Sequence, residues 1–305
     1  MQISVISPIY GCRESIQELY EQLTSVLQKI CSSYEIIFVN DNCPQNSWEI
    51  VSEIAKNDRN VKAIKLSRNF GQHYAITAGL DHCNGAHVVV MDCDLQDRPY
   101  EIEKLYKKAL EGYDVVHGRR VERQDSFFKT FTSKLFYKTL EYFTDTEHDH
   151  TIGNFGVYSR KVVETIKGFK EKSRDFLLLV KIVGFKKIEI DVEHDERVYG
   201  TSSYTLSKMI NLAIDSIVSH SNKPLKLIIQ LGLFVSAFSF VVAVGLVVAH
   251  YTYGFSVEGW TSLMVSMFFL FGLLFGILGV VGLYIGKIFD QVKDRPLYII
   301  DEIIN

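Results

Sequence analysis

Two long stretches without a charged side chain lie near the C-terminal end of this chain, at residues 227–249 and 260–286. A helix rises about 1.5 Å per residue, so a helix over either stretch is longer than the roughly 30 Å hydrocarbon core of a bilayer. Helices buried in soluble proteins seldom need such lengths. The pattern therefore predicts a transmembrane helical hairpin over residues 223–289. The alternative is a helical hairpin buried in a soluble protein.

Basic residues flank these two stretches but are absent from the loop between them. Two lysines precede the first stretch, and two lysines and an arginine follow the second. By the positive-inside rule, we predict a multi-pass protein of the cytoplasmic (inner) membrane, with both termini and a tail over residues 290–305 in the cytoplasm. Glycines recur along the second stretch at spacings that would let two copies pack closely, which leaves a homo-oligomer open.

The overall composition is that of a folded protein without a nucleic-acid partner. Hydrophobic residues make up 47% and charged residues 23% of the 305 residues, which excludes a disordered chain. The net charge of -3 gives no broad basic field, so nucleic-acid binding is disfavoured. The five cysteines include no CxxC pair and are predicted to be reduced thiols that serve mainly in packing. The N-terminal segment ISVISPIY is strand-like, and we expect no secretory signal there.

Strand-like and helix-like segments alternate in the N-terminal part of the chain. The candidate strands are QISVIS, YEIIFVN, VKAIKLS, AHVVVMD and YDVVHG. Helical periodicity covers residues 13–30, 45–56, 72–82 and 100–111. Such alternation is typical of an α/β domain with a mainly parallel sheet and helices on both faces. We predict this domain over residues 1–203.

One apolar run, VVVM, is followed by three closely spaced carboxylates, Asp92, Asp94 and Asp97. In open α/β sheets, ligands bind at the carboxyl ends of the strands. Like charges crowded there predict that a divalent cation lies between them. The phosphate-binding motifs GxGxxG and GxxxxGK[ST] are absent from the sequence, which disfavours a Rossmann dehydrogenase and a P-loop NTPase. A diphosphate bound in this crevice would instead need a metal.

Other polar residues follow the remaining predicted strands. Pro8 and Tyr10 come after the first strand, Asn40 and Asp41 after the second, and residues 67–69 after the third. Because parallel strands end at the same edge of a sheet, these residues are expected to line one crevice with the acids. A carboxylate after the second strand can accept hydrogen bonds from a base or a ribose.

Five sequence blocks carry a resemblance to a known family. In chain order they are SPIYGCRESI, FVNDNCPQNS, LSRNFGQHYAITAGL, MDCDLQDRPYEI and ERVYGTSSY. Followed by the two apolar stretches, they resemble the inverting glycosyltransferases of family 2, which have a GT-A (Rossmann-like) fold. The most similar subgroup is that of the polyprenyl-phosphate sugar synthases, which includes dolichol-phosphate mannose synthase and the bactoprenol glucosyltransferases. The resemblance implies a nucleotide-sugar donor, a polyprenyl-phosphate acceptor and contact with the lipid bilayer.

The resemblance also implies roles for individual side chains. Asp92 and Asp94 would form a DxD motif that holds Mg²⁺ or Mn²⁺ against the donor diphosphate, with Gln96 as a further ligand. The cation would neutralise the charge that grows on the leaving diphosphate. The residues implied to contact the nucleotide-sugar are Pro8, Tyr10, Asp41, Arg68, Asp92, Arg120 and Arg123. The residues predicted to carry out the reaction are Asp92, Asp94, Asp97 and Arg197. For each arginine the alternative is an ordinary surface charge.

Several positions depart from the family pattern. Gly11 and Cys12 stand where an Asn and a Glu are usual, which leaves the identity of the base open. Asn154 and Gly156 stand where the subgroup often has an Asp and an Arg, and an Asn cannot act as a general base. A lipid phosphate needs no base, since a phosphate monoester is largely ionised near neutral pH. If the acceptor is a hydroxyl, the candidate bases are Asp97, Asp149 and His150.

Two amphipathic stretches could bring the crevice to the membrane. Residues 204–222 carry apolar side chains at spacings of three and four and are predicted to form a helix in the headgroup plane. Residues 126–143 interleave lysines with aromatic side chains and could line an acceptor groove. For both stretches the alternative is ordinary packing on the domain.

Three functional hypotheses remain. The first is a membrane-anchored transferase that moves a hexose-like sugar from a UDP-sugar to undecaprenyl phosphate on the cytoplasmic face, for modification of a surface polysaccharide or glycolipid. The second is a transferase to a hydroxyl of a lipid-linked glycan. The third is a catalytically silent membrane subunit that binds a nucleotide-sugar, and the presence of Asp92, Asp94 and Gln96 argues against it.

Overall fold

The computed structural model describes residues 1–120, 143, 151–193, 217–218, 221–253 and 259–305. Contacts divide the chain into two compact units. The first unit contains residues 1–120 and 151–193 together with Arg295–Asn305. The second contains residue 143 and the described residues between 217 and 294.

A mixed, mostly parallel sheet forms the centre of the first unit. Its strands are β1 (Ile3–Ile9), β2 (Tyr34–Asn40), β3 (Val61–Leu66), β4 (His87–Val90), β5 (Val115–Arg120), β6 (Ile152–Ser159), β7 (Lys187–Val192) and β8 (Ile300–Ile304). Their order across the sheet is β7-β5-β6-β4-β1-β2-β3-β8. Strands β1 to β4 run parallel to one another, whereas β6 is antiparallel to β4 and β5, and β8 is antiparallel to β3. The carboxyl ends of β1 to β4 therefore lie at one edge of the sheet.

Helices cover both faces of this sheet. A short 3-10 turn (Arg13–Ser15) leads into α1 (Ile16–Ile30), followed by α2 (Ser47–Asn57), α3 (Gln72–His82), α4 (Glu101–Leu110), α5 (Arg160–Lys167) and α6 (Phe176–Val183). Side chains of α1, α2 and α4 pack into a core on one face, and those of α3, α5 and α6 pack into a core on the other. The predicted α/β fold class is confirmed, and so are the four predicted helices, to within a few residues at their ends.

The continuous apolar runs of the sequence follow from burial on both faces. Every residue of β1 and β2 is buried. Because side chains alternate along a strand, Ile3 and Val5 enter the core beside α1, while Ile6 enters the core beside α3. The strands β6, β7 and β8 were not among the predicted strands.

The C-terminal end of the chain joins the sheet as its edge strand. Strand β8 pairs with β3, with Ile303 opposite Ile64 and Ile304 opposite Ala63. Ile304 packs partly buried against the core beside α1 and α2. The side-chain amide of Asn305 donates a 3.0 Å hydrogen bond to the carbonyl of Val61. Part of the predicted cytoplasmic tail, residues 290–305, is therefore built into the first unit.

Two long apolar helices form most of the described second unit. They are α7 (Lys223–Tyr253) and α8 (Trp260–Val292). Both contain a window long and apolar enough to cross a membrane, and none of either window is buried within the protein. The Tyr284 hydroxyl of α8 donates a 2.7 Å hydrogen bond to the carbonyl of Ser221, just before α7. The predicted amphipathic segments at 204–222 and 126–143 lie almost entirely outside the described residues.

Candidate active site

The three acids of the MDCDLQD segment lie in the loop that follows β4. The Met91 amide donates a hydrogen bond to the Ile6 carbonyl, so the pairing of β4 with β1 extends to the start of this loop. Asp97 is 1% exposed, whereas Asp92 and Asp94 are only partly buried. The structure thus brings the predicted carboxylates together at the carboxyl end of the parallel strands, where ligands of α/β sheets bind.

Mutual repulsion and burial disfavour a full negative charge on this loop. Burial, followed by the charges of Asp97 and Asp94, raises the pKa of Asp92 to about 7. Arg120 and a hydrogen bond from Gln72 act in the opposite direction but do not cancel the rise. A group of carboxylates with this electrostatic balance would be stabilised by a cation.

Gln72 is a site residue that sequence reasoning missed. It is the first residue of α3, and its side-chain amide donates a 2.6 Å hydrogen bond to Oδ1 of Asp92. The contact fixes the orientation of the Asp92 carboxylate from a neighbouring element. The signal was available in the sequence, because Gln72 directly follows the SRNFG segment and is polar at the start of a predicted helix.

Asp41 holds the loop between β3 and α3. Its two carboxylate oxygens accept hydrogen bonds from the amides of Phe70, at 2.7 Å, and Gly71, at 2.8 Å. Asp41 is 2% exposed, and burial raises the pKa of its carboxyl group, although these two hydrogen bonds and Arg68 oppose the rise. Gly71 has a φ of +107°, which favours glycine at this position. Asp41 therefore organises the crevice, in addition to any contact with a nucleotide.

The remaining predicted donor-contact residues take different positions around the crevice. Pro8 is buried within β1 opposite Val39, so it shapes the end of the strand. Tyr10 is 53% exposed just after β1 and is accessible to a ligand. Arg68 is exposed, with its guanidinium carbon 4.1 Å from the centre of the Phe70 ring. Of these three, Tyr10 and Arg68 are the side chains that solvent reaches.

Arg120, at the end of β5, forms an ion pair with the loop that contains the three acids (residues 91–97, called the acidic loop below). Its Nη2 atom lies 3.5 Å from Oδ1 of the buried Asp97. A Cβ atom on Gly153 would lie only 2.9 Å from the same nitrogen, so a side chain at this position would require the guanidinium group to shift. The predicted phosphate-binding arginines Arg123 and Arg197 lie outside the described residues.

The departures from the family pattern on β6 have a steric explanation at one position. A Cβ atom on Gly156 would lie 2.8 Å from the carbonyl oxygen of Val116, so no side chain fits there without a shift of the backbone. The Oδ1 atom of Asn154 is buried and has no hydrogen-bond partner among the described residues. Asn154 thus offers a polar oxygen but no titratable group, as the sequence indicated. The other candidate bases, Asp149 and His150, fall in a part of the chain that the structure does not describe.

The prediction that the cysteines are reduced thiols is wrong for two of them. Cys12 and Cys93 form a disulfide with their Cα atoms 6.1 Å apart. Cys31, Cys43 and Cys83 are free. The prediction failed because 81 residues separate the paired cysteines, and only the meeting of the loops after β1 and β4 brings them together.

The donor atoms of the acidic loop fit a hard divalent cation. Carboxylate oxygens are the ligands that Mg²⁺ and Mn²⁺ prefer. Among the described residues, no group of three or more His, Cys, Asp and Glu side chains is arranged to hold a metal ion. A cation bound by Asp92 and Asp94 would complete its coordination with water and phosphate oxygens, which is common for Mg²⁺.

Comparison with known proteins agrees with this architecture. Residues 4–167 match the family model for glycosyl transferase family 2. The uncharacterized glycosyltransferase YkcC of Bacillus subtilis is 39% identical over 303 residues, which cover 99% of this chain and 94% of that protein. An undecaprenyl-phosphate 4-deoxy-4-formamido-L-arabinose transferase of Photorhabdus laumondii is 36% identical over 310 residues, with 99% and 94% covered.

A solved structure extends the comparison to the fold. The fold resembles that of glucosyl-3-phosphoglycerate synthase from Mycobacterium tuberculosis in complex with Mn²⁺, UDP and phosphoglyceric acid. The TM-score is 0.52 at 14% sequence identity, and the match covers 72% of this chain and 76% of that one. The fold is therefore of the GT-A type seen in glycosyltransferases. The chain belongs to glycosyl transferase family 2.

Proposed function

We propose that this glycosyltransferase moves a sugar from a UDP-sugar to polyprenyl phosphate on the cytoplasmic face of the membrane, with inversion at the sugar carbon. The observation that carries the proposal is the meeting of Asp92, Asp94 and Asp97 at the carboxyl end of β4, beside the ends of β1 and β2. A crowded group of acids at this edge suits a metal-bound diphosphate.

On the donor side, Asp92, Asp94 and Gln96 would hold Mg²⁺ or Mn²⁺. The bound cation would neutralise the negative charge that develops on the leaving diphosphate. Gln72 keeps the Asp92 carboxylate oriented, and Asp41 keeps the loop before α3 folded at the crevice. Arg120, together with Arg123 and Arg197, would contact phosphate oxygens. The presence of Mn²⁺ and UDP in the structure of glucosyl-3-phosphoglycerate synthase supports this type of donor.

On the acceptor side, the chemistry of β6 favours a phosphate over a hydroxyl. Asn154 cannot take a proton from a hydroxyl, whereas a phosphate monoester is largely ionised near neutral pH and can attack the sugar directly. The relative from Photorhabdus laumondii is named for a transfer that involves undecaprenyl phosphate, and it is similar along nearly the whole chain. Both observations support a polyprenyl phosphate acceptor.

The membrane hairpin supplies the anchor that a lipid acceptor requires. Helices α7 and α8 are long and apolar enough to span a bilayer. Strand β8 follows α8 in the chain and pairs with β3, so the residues before α7 and after α8 share one compartment if both helices cross. Together with the basic residues that flank the hairpin, this supports a cytoplasmic catalytic domain.

The alternative of a hydroxyl acceptor loses support from the position of Asp97. A general base must reach the proton that it removes. Asp97 is 1% exposed and its Oδ1 atom lies 3.5 Å from Nη2 of Arg120, so its burial and this ion pair favour a structural role. A silent subunit is disfavoured because the acidic loop and its supporting contacts from Gln72 are intact.

Transfer of radiolabel tests the proposal directly. The full-length protein in detergent micelles would be incubated with radiolabelled UDP-sugars, Mn²⁺ and undecaprenyl phosphate, and the lipid fraction separated. We expect radiolabelled sugar on the lipid phosphate, and no labelled product when a metal chelator is added. In Asp94→Asn the rate of transfer should fall by about 100-fold or more, because a ligand that stabilises the developing charge is lost. Asp301→Asn removes the same charge from a half-exposed position on β8 and should retain activity.

Two other outcomes would contradict the proposal. Label that appears only on a preformed lipid-linked glycan would favour the hydroxyl transferase. A folded protein that binds nucleotide but transfers nothing in the presence of metal would favour the silent subunit.

A further inference from the structure

The disulfide between Cys12 and Cys93 joins the two loops that form the candidate donor site. Cys12 lies in the loop after β1, two residues beyond the exposed Tyr10. Cys93 lies between Asp92 and Asp94, the two predicted metal ligands. One covalent bond therefore sets the position of the acidic loop relative to the loop after β1.

A hydrogen bond ties the same two loops a second time. The Ser15 hydroxyl lies 2.9 Å from the carbonyl oxygen of Cys12 and 2.6 Å from that of Cys93, so its proton is shared between the two loops. Ser15 is 1% exposed. This contact uses backbone carbonyls and no cysteine sulfur, so it would keep the two loops near each other after reduction, and the bond could form again.

The first loop also contacts a free thiol. The amide of Gly11, next to Cys12, donates a 3.2 Å hydrogen bond to the sulfur of Cys43. Gly11 has a φ of +72° and is exposed, so the chain beside Cys12 is open to solvent although Cys12 itself is buried. Cys12 and Cys93 are both buried, so a small reductant or oxidant would reach the disulfide through local opening of this loop.

Disulfides in the cytoplasm are uncommon, and those that form there are usually catalytic or redox-sensing. A cytoplasmic nucleotide-sugar donor places this domain in that compartment, so the inference rests on the proposed function. We propose that Cys12–Cys93 is a reversible thiol modification site that locks the acidic loop against the loop after β1. The oxidised form holds the donor site in its binding geometry, and reduction loosens it.

The chemistry balances with a low-molecular-weight disulfide as oxidant. One cysteine thiolate attacks the oxidant and releases one thiol, which leaves a mixed disulfide on the protein. The second cysteine thiolate attacks the protein sulfur of that mixed disulfide and releases the second thiol. Two electrons and two protons pass from the cysteine pair to the oxidant, and a dithiol reductant reverses both steps.

Thiol counting and hydrogen exchange test this inference without any nucleotide. The full-length protein would be treated with oxidised glutathione or with dithiothreitol, and its free thiols would then be alkylated and mapped by mass spectrometry. We expect three labelled cysteines after oxidation and all five after reduction. The backbone amides of residues 92–97 should exchange about fivefold more slowly in the oxidised form, because the disulfide limits local opening of the loop.

Matched variants identify the bond responsible. Cys12→Ser and Cys93→Ser should each abolish the redox response of hydrogen exchange in residues 92–97. Cys31→Ser removes a free thiol elsewhere in the first unit and should leave that response unchanged. Failure to recover a Cys12–Cys93 peptide from the oxidised protein, or identical exchange in both redox states, would overturn the proposal.

Nucleotide affinity separates this inference from the proposed function. The oxidised protein should bind Mn²⁺–UDP about fivefold more tightly than the reduced protein, because its acidic loop is already ordered and the entropic cost of binding is smaller. Redox-dependent exchange without any UDP binding would support the lock and contradict the proposed donor. Equal UDP affinity in both states would count against the lock and leave the donor assignment intact.

Discussion

Asp41 illustrates how one side chain can serve both folding and ligand binding. Its carboxylate lies at the end of β2 and accepts hydrogen bonds from the amides of Phe70 and Gly71, in the loop before α3. That helix begins with Gln72, which in turn contacts Asp92. A chain of three contacts thus runs from the second strand to the acidic loop.

We expect Asp41→Asn to weaken Mn²⁺–UDP binding about tenfold and to lower the free energy of unfolding by about 1–3 kcal/mol. The amide of an Asn would place a donor against one of the two backbone N–H groups, which leaves a buried donor without an acceptor. Isothermal titration and thermal unfolding of the full-length protein would measure the two effects.

Asp301→Asn is the control for the loss of one negative charge. The Asp301 side chain is about half exposed and pairs with Lys65 at the surface, so both measurements should change little. Wild-type affinity in Asp41→Asn would show that the Asp41 contacts do not organise the donor site.

At these positions, the sequence predicted the location of the site residues more accurately than it predicted their contacts. Asp41, Asp92 and Asp94 could be located because polar residues after apolar strands gather at one edge of the sheet. The double hydrogen bond of Asp41, the contact from Gln72 and the Cys12–Cys93 bond depend on how loops from distant segments meet. Spacing along the chain does not encode that meeting.

At the scale of elements, strand β8 pairs with β3 and takes its place as the edge strand of the sheet. An open edge strand presents unpaired backbone groups and invites pairing with other chains. Within β8 the two ends are partly buried, whereas the middle is exposed. Ile304 packs against the core, and Ile303 is 43% exposed.

We expect Ile304→Ala to lower the free energy of unfolding of the first unit by about 1–3 kcal/mol, because it removes apolar contacts from a packed site. Chemical denaturation followed by hydrogen exchange in β3 would measure the change.

Ile303→Ala deletes the same atoms from the exposed neighbour and should cost less than about 0.5 kcal/mol. Equal effects of the two substitutions would mean that β8 does not pack on the sheet as the structure indicates.

Regular elements were predictable where their periodicity was strong, and α3 has the bounds that were predicted, Gln72–His82. The later strands were not predictable for a physical reason. Strands β7 and β8 carry charged residues and lie at the two edges of the sheet. Such strands form because a partner strand is present, and their own composition gives little signal.

At the scale of the whole molecule, we predict one arrangement across the membrane from the hairpin and the pairing of β8. If both helices cross, the N-terminal domain and the C-terminal strand lie on one side and the loop between the helices on the other. Flanking lysines and arginines favour the cytoplasm for the domain.

We expect a cysteine introduced by Ser256→Cys, in the segment between α7 and α8, to react with a membrane-impermeant maleimide in right-side-out vesicles. A cysteine introduced by Glu53→Cys, at an exposed position on α2, should react only after the vesicles are permeabilised. Mass spectrometry of the labelled protein would distinguish both sites from the natural cysteines.

Cys31, which is partly exposed and free in the first unit, provides an internal control. Like the cysteine introduced by Glu53→Cys, it should be labelled only after the vesicles are permeabilised. The reverse pattern, with the domain labelled first in sealed vesicles, would contradict the cytoplasmic orientation.

The pairing of the last strand also has a consequence for biosynthesis. During translation, residues 300–304 leave the ribosome only after both hydrophobic helices have been made. The nascent N-terminal domain therefore waits for its final strand until the hairpin has had the opportunity to insert. If the hairpin inserts into the bilayer, completion of the domain is coupled to that insertion.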